Sequence, residues 1–209
     1  MCWNAEVSLK TFMYGLCSAV ICAYLGTIRF DIVYITMSFT SIQLLEYFAW
    51  TYLDNKKVIY YLSIIGLLLI FLQLFLLSYT IKNPAYRKHM LALLFGFIVL
   101  YGIYVLPTAR FNMKKGINGH LEWEWFNWPK IFMMVGLFFY IMPAVLDKYT
   151  LSAIFTIVTV CYSLYNYYQY KTWGTMWCYV SNVLWVYFVF VSIFKYYYGI
   201  KHKHVLFGI

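Results

Sequence analysis

VIYYLSIIGLLLIFLQLFLLSYT, residues 58–80, runs from Val58 to Thr80 without a charged side chain. As an α-helix rising 1.5 Å per residue it would be about 34 Å long, enough to cross a hydrocarbon core of about 30 Å. Charged or turn-forming clusters bound it: Asp54-Asn55-Lys56-Lys57 before, and Lys82-Asn83-Pro84 through Arg87-Lys88 after. The same pattern recurs on both sides of this stretch. Apolar runs at 9–28, 31–53, 58–80, 89–108, 129–147, 150–170 and 173–198 predict seven helical crossings joined by short connections. The expected fold is an all-α seven-helix transmembrane bundle, one domain over residues 1–209, in which only 109–128 is long enough to hold structure between crossings. The first run lacks a basic leader and a small-residue cleavage site, so it is expected to be retained.

The composition agrees. Of the 209 residues 64% are hydrophobic, 23% aromatic and 11% charged, too few charges to clothe a water-soluble core and far too much apolar surface for disorder. The runs are continuous, not alternating, which excludes outer-membrane barrel strands. A net charge of +9 comes from basic residues scattered singly or in pairs; anionic lipid headgroups explain it better than nucleic acid, and no nucleic-acid partner is expected. The cysteines Cys2, Cys17, Cys22, Cys161 and Cys178 form no CxxC pair, and no disulfide framework is implied.

Seven crossings put the termini on opposite sides. Lysine and arginine divide evenly between those sides, eight and eight, so the positive-inside rule gives no orientation; only the basic tail Lys201-His202-Lys203-His204 leans the C-terminus toward the cytoplasm. Tryptophan is asymmetric. Trp3, Trp50, Trp123, Trp125, Trp128, Trp173 and Trp177 all fall at the end where the chain starts, and Trp185 alone lies deeper. Two readings suit them: an interfacial belt with wet indole N–H groups, or an aromatic vestibule or docking surface. The segment 109–128 alternates acid and indole, and is expected to be a surface loop anchored by aromatics, a short hairpin or interfacial helix, or a lid hinged at Gly116 and Gly119.

Glu46 is the one acidic residue well inside a predicted crossing. Gln43, Glu46 and Trp50, at i, i+3 and i+7, share a helical face with Thr36 and Thr40. A carboxyl at that depth must face the bundle interior or a wet cavity. Ser152, Thr156, Thr159, Ser163 and Asn166 trace a polar seam along the sixth run; Cys178, Asn182 and Trp185 mark one face of the seventh; Thr11, Tyr14, Gly15, Ser18 and Cys22 mark the first. Runs four and five look lipid-facing. These patterns predict a polar pocket between helices 1, 2, 6 and 7, opening toward the tryptophan-rich face. Its expected residues are Glu46, Gln43, Trp50, Asn182, Trp177, Cys178, Ser163 and Asn166, with Glu46 bonded to Asn182 or a nearby hydroxyl. The plainer alternative is that small and hydroxyl residues simply let helices approach. Cys2, Cys178, His120 and Glu46 are chemically competent zinc ligands, but no ligand spacing supports a site, and no metal or cofactor is expected.

Seven crossings do not make this chain a rhodopsin or a G-protein-coupled receptor. Trp185 stands where a retinal-type lysine would, no DRY-like triplet follows the third run, and no NPxxY ends the seventh. The intramembrane histidines of ceramidase-type hydrolases are missing too. The opening Met1-Cys2-Trp3-Asn4-Ala5-Glu6-Val7-Ser8, the Gln43-x-x-Glu46-x-x-x-Trp50 motif and Trp177-Cys178 resemble an uncharacterised family of multi-span membrane proteins of giant DNA viruses and some protists. That resemblance implies a viral or protist origin and a host-cell or virion membrane, and no activity.

Four functions fit the residues: a receptor-like or small-ligand-binding protein built around Glu46; a proton or ion conductor with Glu46 as relay; an enzyme using Glu46 with Cys2, Cys178 or His120, for which no nucleophile–base pair is evident; and an architectural protein that docks a partner at its tryptophan-rich face. The expected partners are the lipid bilayer, a small molecule or ion, and that docking protein.

Overall fold

A computed structural model describes residues 4–26 and 30–199. Cys2, Trp3, Arg29 and the basic tail 201–204 lie outside the described residues. The fold is all-α apart from one small hairpin. Its helices are α1 (Ala5–Leu25), α2 (Phe30–Thr51), α3 (Lys56–Tyr79), α4 (Pro84–Tyr104), α5 (Lys130–Leu146), α6 (Thr150–Tyr167), α7 (Trp173–Ser181) and α8 (Val183–Tyr197). Local chemistry sets the starts. Asn4, Asn55 and Asn83 each turn a side-chain oxygen onto an N–H of the first helical turn, and Pro84, which has no N–H to leave unpaired, opens α4. Gly26, at φ 60°, ends α1 in the left-handed conformation.

Five segments are long and apolar enough to cross a membrane: α1, α2, α3, Pro84–Thr108, and α7 with α8 taken together. The 17-residue α5 is a shorter apolar helix, and α6 has 18 residues, several of them hydroxyl-bearing. We call the end where α1 begins the near end and the other the far end. The helices run alternately between them, with α1 against α2 and α8, α2 against α3 and α7, α5 against α3, α4 and α6, and α6 against α7.

The last segment is broken at Asn182, where an unbroken helix over 173–198 is expected from sequence. The Asn182 side-chain amide takes the Cys178 carbonyl at 2.9 Å, the acceptor its own backbone N–H would use in an α-helix. That N–H goes to Tyr179 instead, a tighter turn that ends α7.

The connection 105–129 is the hairpin foreseen among the alternatives. β1 (Met113–Lys115) pairs antiparallel with β2 (Leu121–Trp123), Met113 opposite Trp123, and a 3₁₀ turn follows at Glu124–Phe126. The turn is made at Gly119, φ 80°.

Candidate functional site

Among the described residues most tryptophans face the interior. Trp123, Trp125, Trp173, Trp177 and Trp185 are buried, and Trp50 and Trp128 half-buried. Trp123 and Trp125 stack at 5.1 Å between centroids, Phe126 lies 5.1 Å from Trp173 and 4.9 Å from Trp128, and Trp125 reaches down onto Gly66 of α3. A Cβ at Gly66 would lie 2.6 Å from the Trp125 ring, so only glycine admits the indole. The near end is therefore filled by indole rings carried on the hairpin, where an open vestibule was one of the expectations.

Ionic contacts hold the hairpin shut. Lys114 meets Glu124 at 2.6 Å and Glu122 at 3.7 Å, and Asn112 donates to the other Glu124 oxygen at 3.0 Å. The Lys114 hydrogen bond, aided by Asn112, keeps the Glu124 carboxyl below its ordinary range against the opposing effect of burial, and Glu124 raises Lys114 in return. His120 is buried edge-on to Tyr167 at 5.6 Å, and burial lowers its pKa. Asn118 donates to Thr172 at 2.8 Å, tying the hairpin tip to the start of α7.

Under this plug lie the residues singled out from sequence. Gln43 and Glu46 are fully buried one turn apart on α2, with Trp50 a turn nearer the near end. Glu46 stands within electrostatic range of Cys178, and Cys178 of Tyr140. Asn182, expected beside Glu46, places its amide oxygen 3.0 Å from the Thr40 hydroxyl, which also accepts the Trp185 N–H at 2.7 Å. Trp177 donates to Thr159 at 3.2 Å. Ser163 bonds the Trp173 carbonyl at 2.6 Å, fastening α6 to α7. Asn166 bonds back to Tyr162 of its own helix at 2.8 Å and stands apart from the group.

One cavity lies away from this group. A space of about 160 Å³ opens at the far end, bordered by α2, α3, α5, α6, α7 and α8. Glu46, Gln43 and Asn182 do not line it, and neither does α1, which packs outside it against α2 and α8. This cavity stands at the end opposite the one expected to open toward the tryptophans, with α5, read as lipid-facing, in its wall. The reason is the plug: indole rings fill the near end, while the far half is lined by the smaller Thr36, Ala144, Ser152, Thr156 and Ser181.

The floor is aromatic. Trp177 lies edge-on to Tyr140 at 4.6 Å and to Phe39 at 6.1 Å, and all three line the cavity. Tyr140 turns its hydroxyl away to Gln73 at 2.7 Å, and Gln73 donates to the Ser38 carbonyl at 3.1 Å, so the floor is braced by α3. Thr36, Thr159 and Ser181 donate to carbonyls of their own helices, at 2.9 Å in each case for Ile32, Phe155 and Trp177. The Thr36 and Ser181 oxygens keep acceptor capacity, while Thr159 already takes the Trp177 N–H. Above the floor the wall mixes Ile35, Leu77, Phe155 and Leu184 with Ser152 and Thr156, and the mouth carries Asp31, Asp147 and Tyr149. The arrangement can enclose a small amphipathic molecule.

Sequence reasoning found the α6 seam Ser152–Thr156–Thr159 that forms one wall, but missed Asp31, Asp147 and Tyr149. All three sit at predicted helix ends, where charge and tyrosine pass for ordinary boundary signals. No family model, no curated protein and no solved structure matches the chain.

Proposed function

We propose that the chain is an integral membrane protein with seven crossings that binds a small amphipathic molecule in the far-end cavity. The membrane reading is supported by what the surface exposes. Ile65, Leu68, Phe95, Leu100, Met134, Ile154, Val158 and Phe190 face outward along the helix middles, while exposed tyrosines gather toward the helix ends: Tyr52, Tyr60, Tyr61, Tyr104 and Tyr165 at the near end, and Tyr24, Tyr34, Tyr79, Tyr86 and Tyr197 at the far end. Two rings of tyrosine around an apolar waist suit the two interfaces of a bilayer. The shorter α5 and α6 cross with it, mismatch of a few ångströms being a modest cost.

The observation that carries the binding reading is the cavity: mixed lining, a closed aromatic floor and a mouth at one interface. Its volume is on the order of one that takes a benzene-sized molecule. A relay from Glu46 to the far end would have to pass Trp177, Tyr140 and Phe39, so conduction ranks second.

The test is photolabelling in nanodiscs with a short-chain alcohol of about benzene size that carries a diazirine. Labelled peptides should carry adducts at Ile35, Leu77, Phe155 or Leu184, and these should vanish in Ala144→Trp, which fills the space, while lipid-side adducts remain. Adducts confined to outward residues such as Phe95 and Phe190 would remove the reading.

A further inference from the structure

We propose that the molecule taken by this cavity is a benzene-sized aromatic ring bearing one hydroxyl, a phenol, seated with its ring against the floor and its hydroxyl between the α2 and α6 walls. This rests on the binding reading above and adds the class of ligand. A void of about 150 Å³ takes benzene. The space here is about 160 Å³, room for one six-membered ring.

The lining is rich in rings: Phe39, Tyr140, Tyr149, Phe155, Trp177 and Phe188 all border the space. On the floor, Trp177 stands at 85° to both Tyr140 and Phe39. Perpendicular rings offer an incoming molecule an edge or a face, and an aromatic ligand answers either, with its own electron-rich face or its positive edge. A saturated ring of the same size has no such polarity and makes dispersion contact only.

The walls set the substituent. Thr36 on α2 and Ser181 at the end of α7 direct their hydroxyl hydrogens to the Ile32 and Trp177 carbonyls, each at 2.9 Å, so toward the cavity their oxygens can only accept. On α6, Ser152 and Thr156 bring hydroxyls to the same space that can rotate to donate. A hydroxyl is the smallest ligand group that does both, giving to Thr36 or Ser181 and taking from Ser152 or Thr156. A bare hydrocarbon ring leaves these pairings unmade. Thr159, on the floor, already takes the Trp177 N–H, so the hydroxyl belongs one turn nearer the mouth, level with Thr36 and Thr156.

The experiment uses the full chain in nanodiscs with the diazirine alcohol as reporter, competed by phenol, toluene and cyclohexanol at matched membrane concentrations. Toluene keeps the ring and the size without the hydroxyl; cyclohexanol keeps the hydroxyl without the aromatic face. Phenol should protect Ile35 and Phe155 from labelling about fivefold more strongly than either. Thr36→Val with Ser181→Ala removes the two acceptors with little change of shape and should bring phenol and toluene within about twofold, because a phenol O–H donates more strongly than its oxygen accepts. Cavity labelling that toluene or cyclohexanol competes as well as phenol in the parent chain overturns this proposal and leaves the binding reading standing. A phenol-over-toluene preference undiminished in the double variant also overturns it. If that variant fails to insert, the parent-chain comparison decides alone. Absence of cavity labelling overturns both.

Discussion

Gly15 sits where three helices meet, and adding one methyl group there tests the packing directly. A Cβ built on Gly15 lies 2.4 Å from Thr40 Cγ2, 2.8 Å from Thr40 Oγ1 and 2.9 Å from Trp185 Nε1, so Gly15→Ala must displace α1 or the Thr40–Trp185 pair. Overpacking of this kind costs about 1–3 kcal/mol. If the indole N–H loses Thr40, a buried donor left unsatisfied adds about 1–3 kcal/mol. The gain in helix propensity returns at most about 1 kcal/mol. The expected net loss is about 2–3 kcal/mol, read as a lower midpoint in denaturant titration of the protein in mild detergent.

Two companions sharpen the test. Gly96 and Gly102 on α4 have nothing within 4 Å of an added Cβ, so alanine at either should leave the midpoint unchanged or raise it. Thr40→Ser removes the closest atom and keeps the hydroxyl, so it should recover part of the Gly15→Ala loss, a coupling that independent sites do not show. If Gly15→Ala matches the parent chain, or the two substitutions add, the close approach of α1, α2 and α8 is refuted.

Three further outcomes follow from the geometry. Tyr140→Phe strands the Gln73 oxygen and should lower stability by about 1–3 kcal/mol in the same titration; Tyr140→Phe with Gln73→Leu should recover most of it. Glu124 has its carboxyl held below the ordinary value of 4.5, so its contribution is complete above that pH and is lost as the pH falls through the lower folded value; proteolysis in the 113–123 hairpin should rise in that acidic window, and Glu124→Gln should flatten the dependence. Asn182→Leu removes the amide that captures the Cys178 carbonyl and the partner of Thr40; amide exchange across 178–186 should slow as the helix closes, and unchanged exchange would refute the side-chain origin of the break.

The helices were legible because continuous apolar runs bounded by Asn, Pro and Lys carry their own start and stop chemistry. The break at Asn182 was not, since a side-chain amide competing for one carbonyl leaves no trace in hydrophobic period. Indole placement was ambiguous for a different reason: tryptophan at a helix end suits an interface or an interior equally well, and the hairpin that carries Trp123 and Trp125 inward forms through the pairing of 113–115 with 121–123. Burial of Glu46 and Gln43 agrees with the periodicity argument. The position of the void does not, because a void is set by which end the large side chains fill, and that depends on where 109–128 folds back.

The interior placement of the indoles changes how spectroscopy of this chain must be interpreted. Trp123, Trp125, Trp173, Trp177 and Trp185 are each at most 6% exposed, whereas tyrosines and phenylalanines carry the outward aromatic surface. Bromine-tagged acyl chains quench by contact, so they should dim the ultraviolet emission only weakly even with the protein fully inserted. Weak quenching, ordinarily taken as a sign of shallow immersion, here measures how well the hairpin shields its own chromophores.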